Sequence, residues 1–224
     1  HKVHCANNGA WKNNHLRPRS LTMSTLSSGR EQLALNLRLR DASSFENYFA
    51  ARNREPVERL QHAVRSLGDA PHSPASWLYL WGEPGTGKTH LLEAACRAAQ
   101  EQGHAPLYVP FAGKADFTTA LLEDVEQVPL VCVDDVDAIA GDASWEAALF
   151  ALYERLRAQG GMLIFAASAS PVAIGLKLAD LATRLAAGRV YRLQPLSDAE
   201  KIAALRLRAQ RRGLEMTEEV ANYL

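Results

Sequence analysis

The feature that most constrains this chain runs from Trp77 to Leu92, where an apolar stretch leads into GEPGTGKT and then into a helical pattern. Glycines in a G-x-x-x-x-G-K-T motif let the backbone turn tightly, so that its N–H groups hold phosphate oxygens at the start of a helix. Lys88 then reaches the β- and γ-phosphates, and the Thr89 hydroxyl is placed to ligate Mg²⁺. A chance match would lack the flanking strand and helix. We therefore predict a P-loop that binds ADP or ATP through Gly82, Pro84, Gly85, Thr86, Gly87, Lys88, Thr89 and His90.

A second apolar stretch, residues 130–133, ends in two carboxylates, Asp134 and Asp135. A fully apolar strand of this kind is typical of a buried parallel sheet, and acids at its end complete a magnesium–nucleotide site. We expect Asp134 to hold Mg²⁺, directly or through water, and Asp135 to act as a base or to orient water. Paired acids can also cap the next helix, which is the alternative interpretation.

Strand and helix patterns alternate along most of the chain. Strands are predicted at residues 77–81, 106–109, 130–134, 162–167 and 190–193, and helices at about 54–67, 88–102, 144–159, 176–185 and 198–212, with another from Thr217. This alternation, with a P-loop after the first of these strands, predicts an α/β fold with a three-layer parallel sheet. The connection from Phe111 to Pro129 has room for about one helix.

Composition and charge narrow the class of protein. The 25 basic and 25 acidic residues give a net charge of zero, so no global charge draws the chain to nucleic acid or membrane. No apolar run approaches the roughly 18 residues of a membrane span. Cys5, Cys96 and Cys132 lack C-x-x-C spacing, which is typical of reduced thiols in a cytoplasmic protein.

The first 42 residues carry two different signals. Residues 1–30 show no periodicity, and we interpret them as a non-native or disordered segment before or around Met23. Residues 31–42 contain QLALNL, whose leucines share one face if the segment is extended. This segment is either a short edge strand or an exposed peptide that docks into an apolar pocket of a partner. Two aromatic residues follow, Phe45 and Tyr48. Their side chains either pack on the core or form the wall of a pocket for a nucleotide base.

Four segments together resemble the AAA+ domain of the bacterial initiator DnaA and its relatives. They are residues 82–89, 134–141, 180–185 and 196–201. Within that group the chain is similar to the regulatory inactivators known as Hda, because QLALNL stands shortly before the aromatic SFENY stretch. The resemblance implies a three-layer P-loop AAA+ domain over residues 43–195. It also implies the beginning of a helical lid domain over residues 196–224, which we expect to be incomplete.

The resemblance also implies a function, negative regulation of replication initiation. In that family the peptide binds the DNA-loaded sliding clamp of DNA polymerase III, which here assigns clamp contacts to Gln32, Leu33, Leu35 and Leu37. The AAA+ domain binds ADP, and the complex promotes ATP hydrolysis on DnaA. Implied partners are therefore DnaA, the clamp and, through the clamp, DNA; a homo-oligomer is also possible. Any ATPase activity of the chain itself is expected to be weak or absent, although the complete P-loop allows some.

Two residues match further motifs of the family. Arg184 matches the box VII arginine finger, which is presented to a neighbouring subunit's nucleotide, and we expect its side chain at an exposed edge without an internal charge partner. Ser168 stands at the sensor 1 position, where the family usually has Asp or Asn. Serine has a shorter side chain than Asp or Asn, so we expect Ser168 to orient water less well.

The alternative function is that of a DNA-remodelling AAA+ ATPase, either a truncated DnaA initiator or a helicase loader. The segment between the second and third strands discriminates between this alternative and the regulator, because in DnaA it carries an inserted helix that engages single-stranded DNA. Here Lys114 is its one basic residue, and Phe117 alone does not make the stacking platform that single-strand binders need. These features favour the regulator.

Overall fold

Five parallel strands form the centre of the fold. The computed structural model describes residues 43–68, 77–116, 118–125, 127–216 and 220. The strands pair in the order β2-β3-β4-β1-β5. Their bounds are β1 (Trp77–Trp81), β2 (Leu107–Pro110), β3 (Leu130–Asp134), β4 (Met162–Ala167) and β5 (Arg189–Arg192).

Helices cover both faces of this sheet. The α-helices are α1 (Arg54–Arg65), α2 (Lys88–Glu101), α3 (Ala143–Gln159), α4 (Ala179–Ala186) and α5 (Asp198–Arg211). Short 3₁₀ helices lie at Phe45–Asn47, Ala51–Asn53, Phe111–Asp116, Thr119–Leu122 and Val136–Ile139. In the part of the chain that the structure describes, no helix is long and apolar enough to cross a membrane.

Alternation along β3 divides the core into two layers. Leu130 and Cys132 pack with side chains of α1 and α2. Val131 and Val133 pack on the other side of the sheet, with side chains of α3 and α4. Successive side chains of a strand point to opposite faces, so a strand buried on both faces must be apolar throughout. The predicted three-layer α/β architecture is confirmed.

The connection between β2 and β3 has room for about one helix. Its described residues form two 3₁₀ turns and no α-helix. Phe111 and Leu122 are fully buried against the α3 side of the sheet, and the Leu122 carbonyl accepts a 2.6 Å hydrogen bond from Arg155 of α3. These contacts hold the connection against the α3 side of the sheet.

The start of the lid segment follows a local capping rule. Ser197 accepts a hydrogen bond from the N–H of Glu200, and the Glu200 carboxylate accepts one from the N–H of Ser197, which is the capping box predicted at the start of α5. The predicted N-terminal segment, the QLALNL peptide, Phe117 and the helix beginning at Thr217 lie outside the described residues.

Candidate nucleotide-binding site

The P-loop connects the end of β1 to the start of α2. Gly87, with φ of 88°, is the residue before the first turn of α2, and a Cβ there would lie 2.6 Å from a ring carbon of Tyr48. A Cβ at Gly82 would lie 2.7 Å from the carbonyl oxygen of Leu193. Glycine is therefore required at both ends of the loop for close packing. The first N–H groups of α2 have no acceptor within the helix, so they are available to a phosphate.

Lys88 places a positive charge over the loop. Its ammonium group donates hydrogen bonds to the carbonyl oxygens of Gly82 at 2.7 Å and of Glu83 at 3.1 Å. The Thr86 hydroxyl donates to the same Glu83 carbonyl at 2.9 Å, and this hydrogen bond stabilises the turn between the two residues. A phosphate that enters the loop would meet a lysine already held at its centre.

A cavity of about 910 Å³ opens in front of the loop. Lys88, Thr89 and His90 line it from α2, and Ser43 and Asn47 from the segment before α1. Its volume lies within the range of small-molecule sites. A further part of the wall comes from Arg208 and Arg211 of α5 and from Arg212 directly after it, here called the α5 arginines.

The paired acids at the end of β3 lie at different depths. Asp134 is buried; its Oδ2 accepts a 2.9 Å hydrogen bond from the Tyr108 hydroxyl, and its Oδ1 accepts a 3.0 Å bond from the N–H of Asp135. Asp135 lines the cavity in a left-handed backbone conformation with φ of 53°. Burial raises the pKa of the Asp135 carboxyl, the negative charges of Asp134 and Asp137 raise it further, and Lys88 opposes them. A raised pKa suits a group that takes up a proton.

Asp137 joins the ends of two neighbouring strands. It lies on the 3₁₀ helix after β3 and lines the cavity. Its Oδ1 accepts a 2.8 Å hydrogen bond from the N–H of Ser168, the first residue after β4. Ser168 also lines the cavity. The structure thus brings the predicted Asp135 and Ser168 together and adds a carboxylate that the sequence-based prediction omitted.

Packing on the core and walling a nucleotide base were the two alternatives for Phe45 and Tyr48, and in the structure both side chains pack on the core. Phe45 is buried in the core beside α1 and α2. Tyr48 packs on Gly87, and its hydroxyl donates to the Thr86 carbonyl at 3.0 Å. It supports the P-loop from behind.

His90 is held in a fixed orientation at the cavity edge. Its Nε2 donates to the Ser44 carbonyl at 2.8 Å, so this nitrogen carries a proton. Burial lowers the pKa of His90, against the opposing effect of this hydrogen bond. The ring therefore presents a neutral edge to the cavity at neutral pH.

Arg184 lies at the other end of the sheet from the P-loop. It belongs to the last turn of α4, and its carbonyl accepts a hydrogen bond from the indole of Trp77, the first residue of β1. Its Nε lies 3.4 Å from Glu154 Oε1, and 45% of its side chain is exposed. The expectation that it has no internal charge partner is wrong, because α3 places Glu154 directly beside it.

Comparison with known families identifies the domain. The model of the bacterial DnaA ATPase domain matches residues 39–192. The chain belongs to the bacterial DnaA ATPase-domain family. Directly after this match, the model of the Hda lid domain matches residues 198–224. The chain is thus an Hda-like, DnaA-related AAA+ protein.

Solved DnaA structures share the fold. The replication initiator DnaA bound to AMPPCP and single-stranded DNA has a TM-score of 0.70 and 24% identity, over 84% of this chain and 60% of that one. AMPPCP-bound DnaA from Aquifex aeolicus has a TM-score of 0.69 and 23% identity, over 83% and 60%. Domain III of the Thermotoga maritima DnaA has a TM-score of 0.68 and 21% identity, over 83% and 80%. The chain spans 60% of the first two of these proteins, and at these identities the likeness is one of fold.

The residues of this DnaA-family domain fit a magnesium nucleotide. Glycines leave room beside the first turn of α2, and a Cβ at Gly85 would meet no atom within 4 Å. Lys88 and the α5 arginines supply positive charge for phosphates. Thr89 and Asp135 line the cavity with oxygen atoms of the kind that Mg²⁺ prefers, and Asp134 would reach the ion from a buried position. Mg²⁺ is usually held by one or two such groups together with phosphates rather than by a full protein cage.

The cavity-lining residues missed from the sequence are of two kinds. Ser43, Asn47 and the α5 arginines reach the cavity from segments distant from the P-loop in the chain. Glu93 and Asp137 lie within the motif segments, Glu93 one turn after Thr89 on α2 and Asp137 as the third acid of DDVD, and this acid is a local signal. The arginines had a weaker one, the basic character of α5.

Proposed function

We propose that this chain is a nucleotide-bound adaptor that restrains the initiation of DNA replication. In this proposal it docks on the sliding clamp of DNA polymerase III and stimulates ATP hydrolysis on DnaA. The observation that carries the proposal is the succession, in one chain, of a DnaA ATPase domain and an Hda lid. That succession is the arrangement of a DnaA regulator or a related replication factor. Both proposed partners make the cytoplasm the expected location.

The P-loop would hold the phosphates of ADP or ATP. Its N–H groups and Lys88 bind phosphate oxygens, and Thr89 and Asp134 would hold Mg²⁺, which neutralises phosphate charge when bound. Relatives of the same fold are described as AMPPCP-bound, which supports an adenine nucleotide. Asp135 and Ser168 both line the cavity, which supports a role for them in orienting water and is compatible with slow hydrolysis on the chain itself.

Arg184 is proposed to act on the nucleotide of DnaA and not on its own. It lies near Trp77 at the start of β1, whereas the P-loop follows the end of that strand. The strand alone separates them by about 13 Å at about 3.3 Å per residue. The half-exposed guanidinium is held by Glu154, which orients it at the surface. An arginine supplied in trans contributes about 10³ to 10⁵ in rate in nucleotidases.

Clamp docking is assigned to Gln32, Leu33, Leu35 and Leu37. This part of the proposal rests on the sequence, because the peptide lies outside the described residues. Alternate leucines in an extended peptide provide anchors for an apolar pocket on a partner. Contact with DNA would then be indirect, through the clamp.

A DNA-remodelling ATPase is the second candidate function. The complete P-loop and the cavity-lining Asp135 favour it, since both are needed for hydrolysis in cis. The short connection between β2 and β3 argues against it, because its described residues contain no helix beyond 3₁₀ turns. We therefore prefer the regulator.

The test is single-turnover hydrolysis of radiolabelled ATP bound to DnaA, with clamp-loaded DNA. Arg184→Ala should lower the stimulated rate about 10²-fold to 10³-fold, or about 3 to 4 kcal/mol at about 1.4 kcal/mol per decade. Arg157→Ala is the matched control, because Arg157 also faces Glu154, at 3.9 Å, and is similarly exposed. Equal stimulation by the unaltered protein and Arg184→Ala would refute the trans mechanism, and so would an equal loss in the control.

A further inference from the structure

Tyr108 touches the acid to which the magnesium role is assigned. In the pairing of β2 with β3, Tyr108 stands opposite Cys132, two residues before Asp134. Alternate residues of a strand share a face, so the Tyr108 ring and the Asp134 carboxylate lie on the same side of the sheet, about 6.6 Å apart along the strand. A phenol side chain can span that step, and its hydroxyl lies 2.9 Å from Asp134 Oδ2.

This hydrogen bond is one of two that fix the Asp134 carboxylate. The other comes from the N–H of Asp135 to Oδ1 at 3.0 Å. Asp134 is 1% exposed, so water cannot replace a lost partner easily. Each carboxylate oxygen accepts about two hydrogen bonds or ligands. With one site of each oxygen occupied, the direction of the remaining sites is determined by Tyr108 and by the backbone.

We propose that Tyr108 is a positioning residue for metal binding in the nucleotide site. The proposal rests on the proposed function, because it assumes that the site takes a magnesium nucleotide. Tyr108 would not contact the nucleotide or the ion. It would hold Asp134 in the orientation that the ion requires, and loss of such a supporting hydrogen bond typically lowers metal affinity about 10-fold to 100-fold.

Another tyrosine of the sheet has a different kind of partner. The Tyr79 hydroxyl, on the opposite face of the sheet, donates to the carbonyl of Ala169 at 3.0 Å. Tyr108, which is half-buried on the side of α1 and α2, instead donates to the acid of the nucleotide site.

The experiment compares Tyr108→Phe with the unaltered protein in two binding measurements. The first is Mn²⁺ affinity in the presence of saturating ADP, from the electron paramagnetic resonance signal of free Mn²⁺. The second is ADP affinity without metal, in EDTA, by calorimetry. We expect Mn²⁺ affinity to fall about 10-fold or more, while metal-free ADP affinity stays within about twofold, since the P-loop is untouched.

Tyr153→Phe is the control, because Tyr153 is buried and its hydroxyl has no hydrogen-bond partner among the described residues. An unchanged Mn²⁺ affinity in Tyr108→Phe would overturn the proposal. A higher affinity would also overturn it, by showing that the hydroxyl competes with the ion. An equal loss in the control, or an equal loss of metal-free ADP affinity, would assign Tyr108 a structural role only. Absence of ADP binding by the unaltered protein would instead refute the proposed function itself, and with it this inference.

Discussion

Glu146 offers the sharpest test of how this fold holds its loops. It lies in the first turn of α3 and is 1% exposed. Its Oε1 accepts hydrogen bonds from the N–H groups of Gly141 at 2.7 Å and Lys177 at 3.1 Å, and its Oε2 accepts one from Leu178 at 2.7 Å. One carboxylate thus ties the turn before α3 to the start of α4, the helix that carries Arg184.

Glu146→Gln keeps the shape of the side chain but removes its charge and one acceptor. The bond to Leu178 would be lost, at about 1.5 to 3 kcal/mol for a charged acceptor, and the other two would weaken by about 1 kcal/mol each. The lower cost of burying a neutral amide offsets part of this sum. We expect the free energy of unfolding to fall by about 3 kcal/mol at pH 7.

The effect should depend on pH in one direction. Burial raises the pKa of Glu146, but the three backbone N–H groups outweigh it and leave the pKa below its ordinary value of 4.5. A depressed pKa contributes stability above the pKa of the unfolded chain, and this contribution is lost as the pH falls through the folded pKa. The difference between the two proteins should therefore be largest near pH 7 and should shrink below pH 4.5.

Urea denaturation at several pH values measures this difference. With a slope of about 2 kcal/mol per molar, a loss of about 3 kcal/mol lowers the midpoint by about 1.5 M. Glu58→Gln is the matched control, because Glu58 is exposed on α1, and exposed substitutions usually change stability by less than about 0.5 kcal/mol. A midpoint shift in Glu146→Gln no larger than in the control, or a shift equally large at pH 4 and pH 7, would refute the argument.

Two further predictions concern binding. Lys88→Ala should weaken ADP binding about 10-fold to 100-fold in calorimetry, because a charged hydrogen bond to phosphate contributes about 1.5 to 3 kcal/mol. The control is Lys201→Ala, at an exposed ion pair on α5, which should leave ADP affinity unchanged. Full ADP affinity in Lys88→Ala would show that the loop does not bind the nucleotide. Replacing Gln32, Leu33 and Leu37 by Ala should abolish retention on immobilised clamp without altering ADP affinity, since only the docking peptide changes; undiminished retention would remove the clamp from the proposal.

Local patterns predicted most of the fold because they act within a few residues. The apolar run of β3, the capping box of α5 and the glycines around Lys88 each fix a backbone shape on their own. The predicted strands and helices consequently lie within a few residues of the observed ones. One boundary differs by three residues: α4 begins at Ala179 and not near residue 176, and the N–H groups of Lys177 and Leu178 just before it donate to Glu146.

Contacts between distant segments could not be predicted in the same way. Glu154 meets Arg184 across two helices, and Asp137 meets Ser168 across two strands. Neither pair leaves a periodic signal, because each depends on how the layers pack. The sequence left the position of Phe45 open for a similar reason, because an aromatic residue before a P-loop can face either the core or the cavity. In the structure it faces the core.

Arg184 lies at one end of the sheet and the nucleotide cavity lies at the other, so the two ends of the molecule carry different functional groups. A contact in which the arginine end of one protein meets the nucleotide end of another joins two different surfaces, and is therefore heterologous. Each protein in such a contact keeps one end free. The protein that offers the arginine can accordingly retain its own nucleotide undisturbed, and the direction of the strands determines which of the two partners acts on the other.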